Sequence, residues 1–129
     1  MVQVALALLM AVTGASKESS LNYEDAFAMA EKENKPLMIL VGARWCASCQ
    51  VMKRDTIEPM KESGELKDVI ITLVDKDDRP ELCEQLMQGE TLPQVVLFSK
   101  NTGNWKKLSL TGMQTRPRIQ ELLKRGSLR

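Results

Sequence analysis

Five consecutive apolar residues, Leu37-Met38-Ile39-Leu40-Val41, stand between Pro36 and Gly42. A run that short, apolar at every position rather than at alternate ones, reads as a strand covered on both faces. Such a strand requires a sheet with helices packed on each side, and the rest of the chain fits that requirement. Val69 to Val74 and Gln94 to Phe98 have the same character. Asn22 is placed to cap a helix through Tyr23 to Lys32, acidic in its first turn and basic near its end. Pro80 sits in the first turn of a helix through Gln88, with Leu82, Cys83, Leu86 and Met87 on one face. Asn101-Thr102-Gly103-Asn104 carries turn chemistry and leads into a fourth strand, Lys106 to Leu110, where Leu108 and Leu110 alternate with polar residues. Gly112 ends that strand, and Pro117 opens a last helix with Ile119, Leu122 and Leu123 facing inward. Helices join the first three strands in turn, and the last two strands form a hairpin. The expected fold class is α/β, a mixed central sheet with helices on both faces. With 129 residues there is room for one such domain, expected over residues 16–129.

The chemistry concentrates directly after the first strand, in Trp45-Cys46-Ala47-Ser48-Cys49, which opens a helix running through Asp55. Two residues between the thiols let both sulfurs meet across one helical turn, so a disulfide can form and open without moving the fold. The first sulfur lies at the helix N-terminus, where unpaired N–H groups and the helix dipole stabilise negative charge. A thiolate there is nucleophilic near neutral pH. Arg44 is expected to add a nearby positive charge, and Trp45 to shield one side. Cys46 is therefore expected to be the exposed nucleophile, and Cys49 the more buried partner.

With these residues in place, the chain resembles the thioredoxin superfamily from about Tyr23 to Arg125. The resemblance rests on the Trp-Cys-x-x-Cys after a strand, on Leu92-Pro93 before Val95 to Phe98, and on Gly112 before the last helix. It implies a thioredoxin-like three-layer sandwich and a thiol–disulfide oxidoreductase. It also implies a cis bond before Pro93, facing the disulfide and setting the Leu92 backbone beside Cys46, where it can pair with an incoming peptide strand. Cys46 and Cys49 would then be catalytic, and Trp45, Leu92 and Pro93 would bind substrate. Lys35-Pro36, Met52 and Thr56 look most like secreted thioredoxin-like domains, including the C-terminal domain of DsbD-type reductases. The implied partners are protein disulfides or dithiols and an upstream redox protein, with the chain acting as a monomer. No cofactor is implied. The competing reading of the same residues is a redox-idle pair in a binding module that holds a peptide or partner domain between Trp45 and Pro93.

Three departures from the family pattern bear on direction. Ala47-Ser48 replaces the frequent Gly-Pro between the cysteines, Leu40 stands where thioredoxin has a buried carboxylate, and no His lies between the cysteines. Without Pro or His there, the reading leans to a reductase or isomerase rather than a dedicated oxidase.

Composition narrows the alternatives. The chain has no His, which excludes Ser-His-Asp and Cys-His catalysis and every imidazole metal site. Cys46, Cys49 and Cys83 lack an evident fourth ligand, so no metal is expected. Cys83 reads as core packing, and Met29, Met52, Met60 and Met87 as gap-filling side chains. Asp75, Asp77, Asp78, Glu81 and Glu84 lack the Gly and closing Glu of a calcium loop and read as a turn and a solvated helix start. The formal charge is +1, which argues for neither nucleic acid nor a membrane surface as partner. Residues 100–129 nonetheless hold eight Lys or Arg and one Glu, an asymmetry read as solvated faces. Val2 to Val12 is almost wholly apolar, too short for a membrane span of about 20 residues. With Thr13 and Ala15 ahead of the polar run from Ser16, it reads as a signal peptide over 1–15, although no Lys or Arg precedes it. The expected location is secreted and periplasmic, without stable membrane insertion after cleavage.

Overall fold

The five apolar residues of β1 (Leu37–Gly42) are no more than 5% exposed, and their side chains divide between two cores. This is a computed structural model of the chain, and it describes residues 21–101 and 103–127. The expected leader at 1–15 lies outside those residues. Leu37, Ile39 and Val41 point into one cluster with Ala26, Ala30, Cys83 and Leu86. Met38 and Leu40 point into the other with Met52, Ile57, Met60, Ile119 and Leu122. Alternation along a strand sends neighbours to opposite faces, so a run that is apolar throughout needs both faces covered. Each buried side chain of that size contributes roughly 1.5–3 kcal/mol relative to exposure.

Around β1 the sheet has the order β2-β1-β3-β4. β2 (Ile70–Asp75) pairs with β1 in parallel, and Gly42 lies opposite Asp75. β3 (Gln94–Asn101) runs antiparallel to β1, and β4 (Asn104–Thr111) antiparallel to β3. One face of the sheet carries α1 (Tyr23–Glu33) and α4 (Pro80–Leu86). The other carries the helix after the cysteines together with α5 (Arg116–Ser127). The architecture is the expected three-layer α/β sandwich. Among the described residues no helix is long and apolar enough to cross a membrane.

Local chemistry explains most element limits. Asn22 caps α1 by accepting the Asp25 N–H at 2.8 Å, and Asn34 closes it in a left-handed conformation with φ 53°. Glu24 in that first turn bonds Arg79 ahead of α4, tying the two helices of one layer together. The hairpin closes on Asn101 opposite Asn104, with Gly103 at φ 86°, a value that favours glycine.

Two expected elements differ. The helix after the cysteines reaches Glu62 rather than Asp55 and is not uniform: α2 (Ala47–Met52) passes through a π turn, Lys53–Ile57, into α3 (Glu58–Glu62). Pro59 has no N–H and its ring crowds the carbonyl four residues back, so a wider turn just before it relieves a clash that a regular α-helix would impose. Conversely, α4 stops at Leu86, two residues early. Met87 is extended there, because the Gln88 backbone is held elsewhere by the side chain of Gln94.

Candidate redox site

β1 ends at Gly42, and after a tight turn Cys46 becomes the N-cap of α2. Its N–H bonds Ala43 O at 3.0 Å, and Cys46 O accepts the Gln50 N–H at 3.2 Å, which fixes the residue as the helix begins. The sulfur of Cys46 accepts the Cys49 N–H at 3.2 Å and lies 3.3 Å from Ser48 Oγ. Cys46 and Cys49 form a disulfide with Cα atoms 5.3 Å apart. Two hydrogen-bonding groups thus already face the sulfur on which negative charge would develop if the bond opened.

The burial of the pair is opposite to the expectation. Cys46 is 6% exposed, whereas Cys49 is half-buried. Gly42 lets Cys49 pack close against the end of β1: a Cβ at that position would stand 3.1 Å from Cys49 Sγ. The open space there is a pocket of about 180 Å³, which Cys49, Gly42, Leu40, Lys53, Leu73 and Pro93 help to line.

Three aspartates hold the segment ahead of Cys46. Asp75 at the end of β2 accepts the Arg44 N–H at 2.9 Å, and with its other oxygen the N–H groups of Asp77 and Asp78. Asp77 accepts the Trp45 indole N–H at 2.7 Å. Asp78 takes both terminal nitrogens of Arg44, at 3.1 and 2.7 Å. The Arg44 guanidinium is thereby turned to Asp78 in an exposed ion pair, which pushes its already high pKa further up. That corrects the expectation that its charge serves the cysteines. Trp45 leaves 69% of its surface in solvent. Asp75, Asp77 and Asp78 of the acidic group are thus anchors for the Arg44-Trp45 turn, beyond the turn and solvated helix start read from sequence.

The Leu92–Pro93 peptide bond is cis. Pro93 is buried and lines the same pocket as Cys49, while its carbonyl accepts the Gly112 N–H at 2.8 Å. Leu92 is half-buried against the α1–α4 core. Gln94, which sequence reasoning passed over, is fully buried directly after Pro93. Its amide nitrogen donates to Gln88 O at 2.9 Å and Thr91 O at 3.0 Å, and its amide oxygen accepts the Gln88 N–H at 2.9 Å. Every polar atom of the side chain is spent on the loop that leads to Leu92 and Pro93. Cys83 takes no part: it is a free thiol, 1% exposed in the other layer. Burial pushes its pKa up, with the Asp75 charge adding to the rise.

A family model described as thioredoxin-like matches residues 18–100, well over half of the chain. The chain belongs to the thioredoxin-like family. The thioredoxin-like chain is 34% identical over 61 residues to mouse spermatogenesis-associated protein 20, a match covering 46% of this chain and 8% of that protein. It is 29% identical over 83 residues to an uncharacterised protein of Caenorhabditis elegans, covering 64% and 11%. The chain thus spans about a tenth of the length of these curated relatives. Among solved structures, chloroplastic thioredoxin z superposes with a TM-score of 0.66 at 23% identity, covering 82% of this chain and 90% of that one. A thioredoxin from Thermus thermophilus gives 0.68 at 22% identity, covering 81% and 82%. At that identity the likeness concerns the fold.

Proposed function

We propose that this thioredoxin-like protein exchanges its Cys46–Cys49 disulfide with protein disulfides or dithiols, leaning to reduction or isomerisation. The observation that carries the reading is the preset environment of Cys46 Sγ, with the Cys49 N–H and Ser48 Oγ already within 3.3 Å. In reduction, the Cys46 thiolate attacks one sulfur of a substrate disulfide and expels the other as a thiolate. Cys49 then attacks Cys46, closing the internal disulfide and releasing the second substrate sulfur. The thiolate is favoured at Cys46 because the N-cap supplies N–H donors to negative charge. Trp45, Leu92 and Pro93 form the substrate-facing surface. Among the described residues none hydrogen-bonds the Leu92 backbone, which leaves it available to pair with an extended peptide. An upstream redox protein, monomeric action, a secreted periplasmic setting after loss of residues 1–15, and kinship to DsbD-type reductases belong to the same proposal.

Cys49→Ser should accumulate mixed disulfides with protein substrates on Cys46, and Cys46→Ser should accumulate none. Equal trapping by both variants would refute the roles. If the wild-type protein turns over no protein disulfide at all, the binding-module reading replaces this one.

A further inference from the structure

The pocket of about 180 Å³ beside Cys49 has an uneven lining. Leu40 and Leu73, on paired strands, give it apolar walls, and Pro93 adds another. A residue that borders such walls is poorly hydrated on that side, so placing negative charge on its sulfur is costly. Three charged residues line the pocket, and they are not equivalent. Asp75, from β2, is engaged by three backbone N–H groups. Arg44, from the turn before α2, is bound to Asp78. The amide of Gln50 donates to Arg44 O at 3.4 Å. The Lys53 side chain, by contrast, makes no hydrogen bond or ion pair among the described residues. Its place relative to Cys49 is fixed by the backbone, because the Lys53 N–H bonds Cys49 O. That is the α-helical bond that sets residue i+4 over residue i on one face, with Cβ atoms about 5–6 Å apart. The π turn begins at Lys53 itself, so the regular spacing lasts just long enough to include it.

We propose that Lys53 is a positioning residue for the second step of exchange, its ammonium stabilising the negative charge that Cys49 carries as it attacks. The proposal rests on the reading of Cys46 and Cys49 as an exchanging pair, with Cys46 the residue that meets the substrate. In that step the Cys49 thiol gives its proton to water. The Cys49 thiolate attacks Cys46 Sγ and the Cys46–Cys49 bond forms, while the bond from Cys46 to the substrate sulfur breaks with its electron pair on the departing thiolate. The two protein thiols are oxidised and the substrate disulfide is reduced. The donors at the start of α2 are directed to Cys46, the Cys49 N–H among them, so charge on Cys49 needs another source of stabilisation. Around the pocket, Asp75 opposes a thiolate, the Arg44 charge is met by Asp78, and β1 and Pro93 contribute no charge. Lys53 is the cation that remains. At about 6 Å and an effective dielectric of about 20, a unit charge shifts a neighbouring titration by about two units, and solvent screening of an exposed ammonium reduces that to about one.

The test follows reduced protein, in a Cys83→Ala background that removes the third thiol, reacting with 4,4′-dithiodipyridine by stopped flow. This disulfide is uncharged at neutral pH, so it makes no ion pair of its own with Lys53. A first release of thiopyridone, proportional to reagent concentration, reports attack by Cys46. A second, independent of reagent concentration, reports closure by Cys49. Lys53→Met and Lys53→Arg are compared with the parent between pH 5 and 9, and both variants change only an exposed helical side chain. Loss of the cation makes the Cys49 thiolate less favourable, so the pH midpoint of the second release should rise in Lys53→Met by at least half a unit. That equals about a threefold slower closure below the midpoint. Lys53→Arg keeps the charge and should restore the midpoint to within about 0.3 unit of the parent, a rescue that a purely structural role of the lysine would not give. A shift under half a unit in Lys53→Met, or an arginine variant shifted as far as the methionine one, overturns the proposal. If the parent shows no second release, the exchange reading falls and this proposal with it; two releases with unmoved midpoints remove this proposal alone.

Discussion

Gln94→Leu isolates the support of the loop that presents Leu92 and Pro93. The side chain is fully buried and makes three hydrogen bonds of 2.9–3.0 Å, all to backbone groups of Gln88 and Thr91. Each such bond contributes a net of about 0.5–1.5 kcal/mol. Gln88 and Thr91 are themselves exposed, so water can reach the freed groups in part, and burying leucine in place of an amide offsets some of the loss. The expected destabilisation is about 1.5–3 kcal/mol. Gln94→Glu keeps the acceptor for the Gln88 N–H but sets a carboxylate against two carbonyl oxygens, and should cost more than Gln94→Leu. Urea unfolding gives both values from midpoint and slope. Under the proposed function, the looser loop also raises KM for a peptide disulfide several-fold while leaving reaction with a small disulfide within twofold of wild type. If Gln94→Leu shifts stability by less than about 0.5 kcal/mol, an ordinary surface effect, and leaves KM unchanged, the argument for loop support is refuted.

Two further outcomes follow from the same structure. Glu65 is held at a pKa of about 2 rather than 4.5, first by Arg116 and then by Ser63 and Gln120, so its ionised form favours the folded state. That contribution is complete above about pH 4.5 and disappears as pH falls towards 2; Arg116→Gln should lower stability above pH 5 and match wild type near pH 2, and a pH-independent difference across unfolding curves would contradict it. Leu40→Asp places an acid 5% exposed beside Cys49, which should cost about 3 kcal/mol and add a titration to the resolving step between pH 5 and 9; superimposable single-turnover pH profiles would show that residue 40 does not reach the chemistry.

The layers of the fold were legible because β1 is apolar at every position. Only a strand with two covered faces uses such a run, and the amphipathic patterns around Cys83 and Ile119 supplied the covers. The limits of the helices were less legible, for reasons that lie in other parts of the chain. Gly89 announces that α4 ends nearby but not that it stops at Leu86, since the group that takes the Gln88 backbone, Gln94, is six residues on and belongs to β3. A glutamine opening an otherwise apolar strand was the available signal, because a buried amide must be fully hydrogen-bonded. The π turn had a nearer cue in Pro59, whose conflict with a regular helix follows from its ring and its missing N–H alone.

At the site, the cysteine pair and Pro93 were legible from local spacing, but the relative burial of the two cysteines was not. Position along a helix orders thiols by their access to N–H donors, and that places the charge on Cys46. It does not determine which sulfur is covered, because cover comes from neighbouring strands. Gly42 lets Cys49 pack close against the end of β1, where a Cβ would stand 3.1 Å from the sulfur. The parallel pairing of Gly42 with Asp75 then brings the aspartates under the Arg44-Trp45 turn, roughly thirty residues away in sequence. The hydrogen-bonding groups and the larger open residue surface therefore fall on different cysteines. In the usual picture one sulfur is both the better thiolate and the easier target. Here the hydrogen-bonding groups stand at Cys46, while the residue with more of its surface open is Cys49.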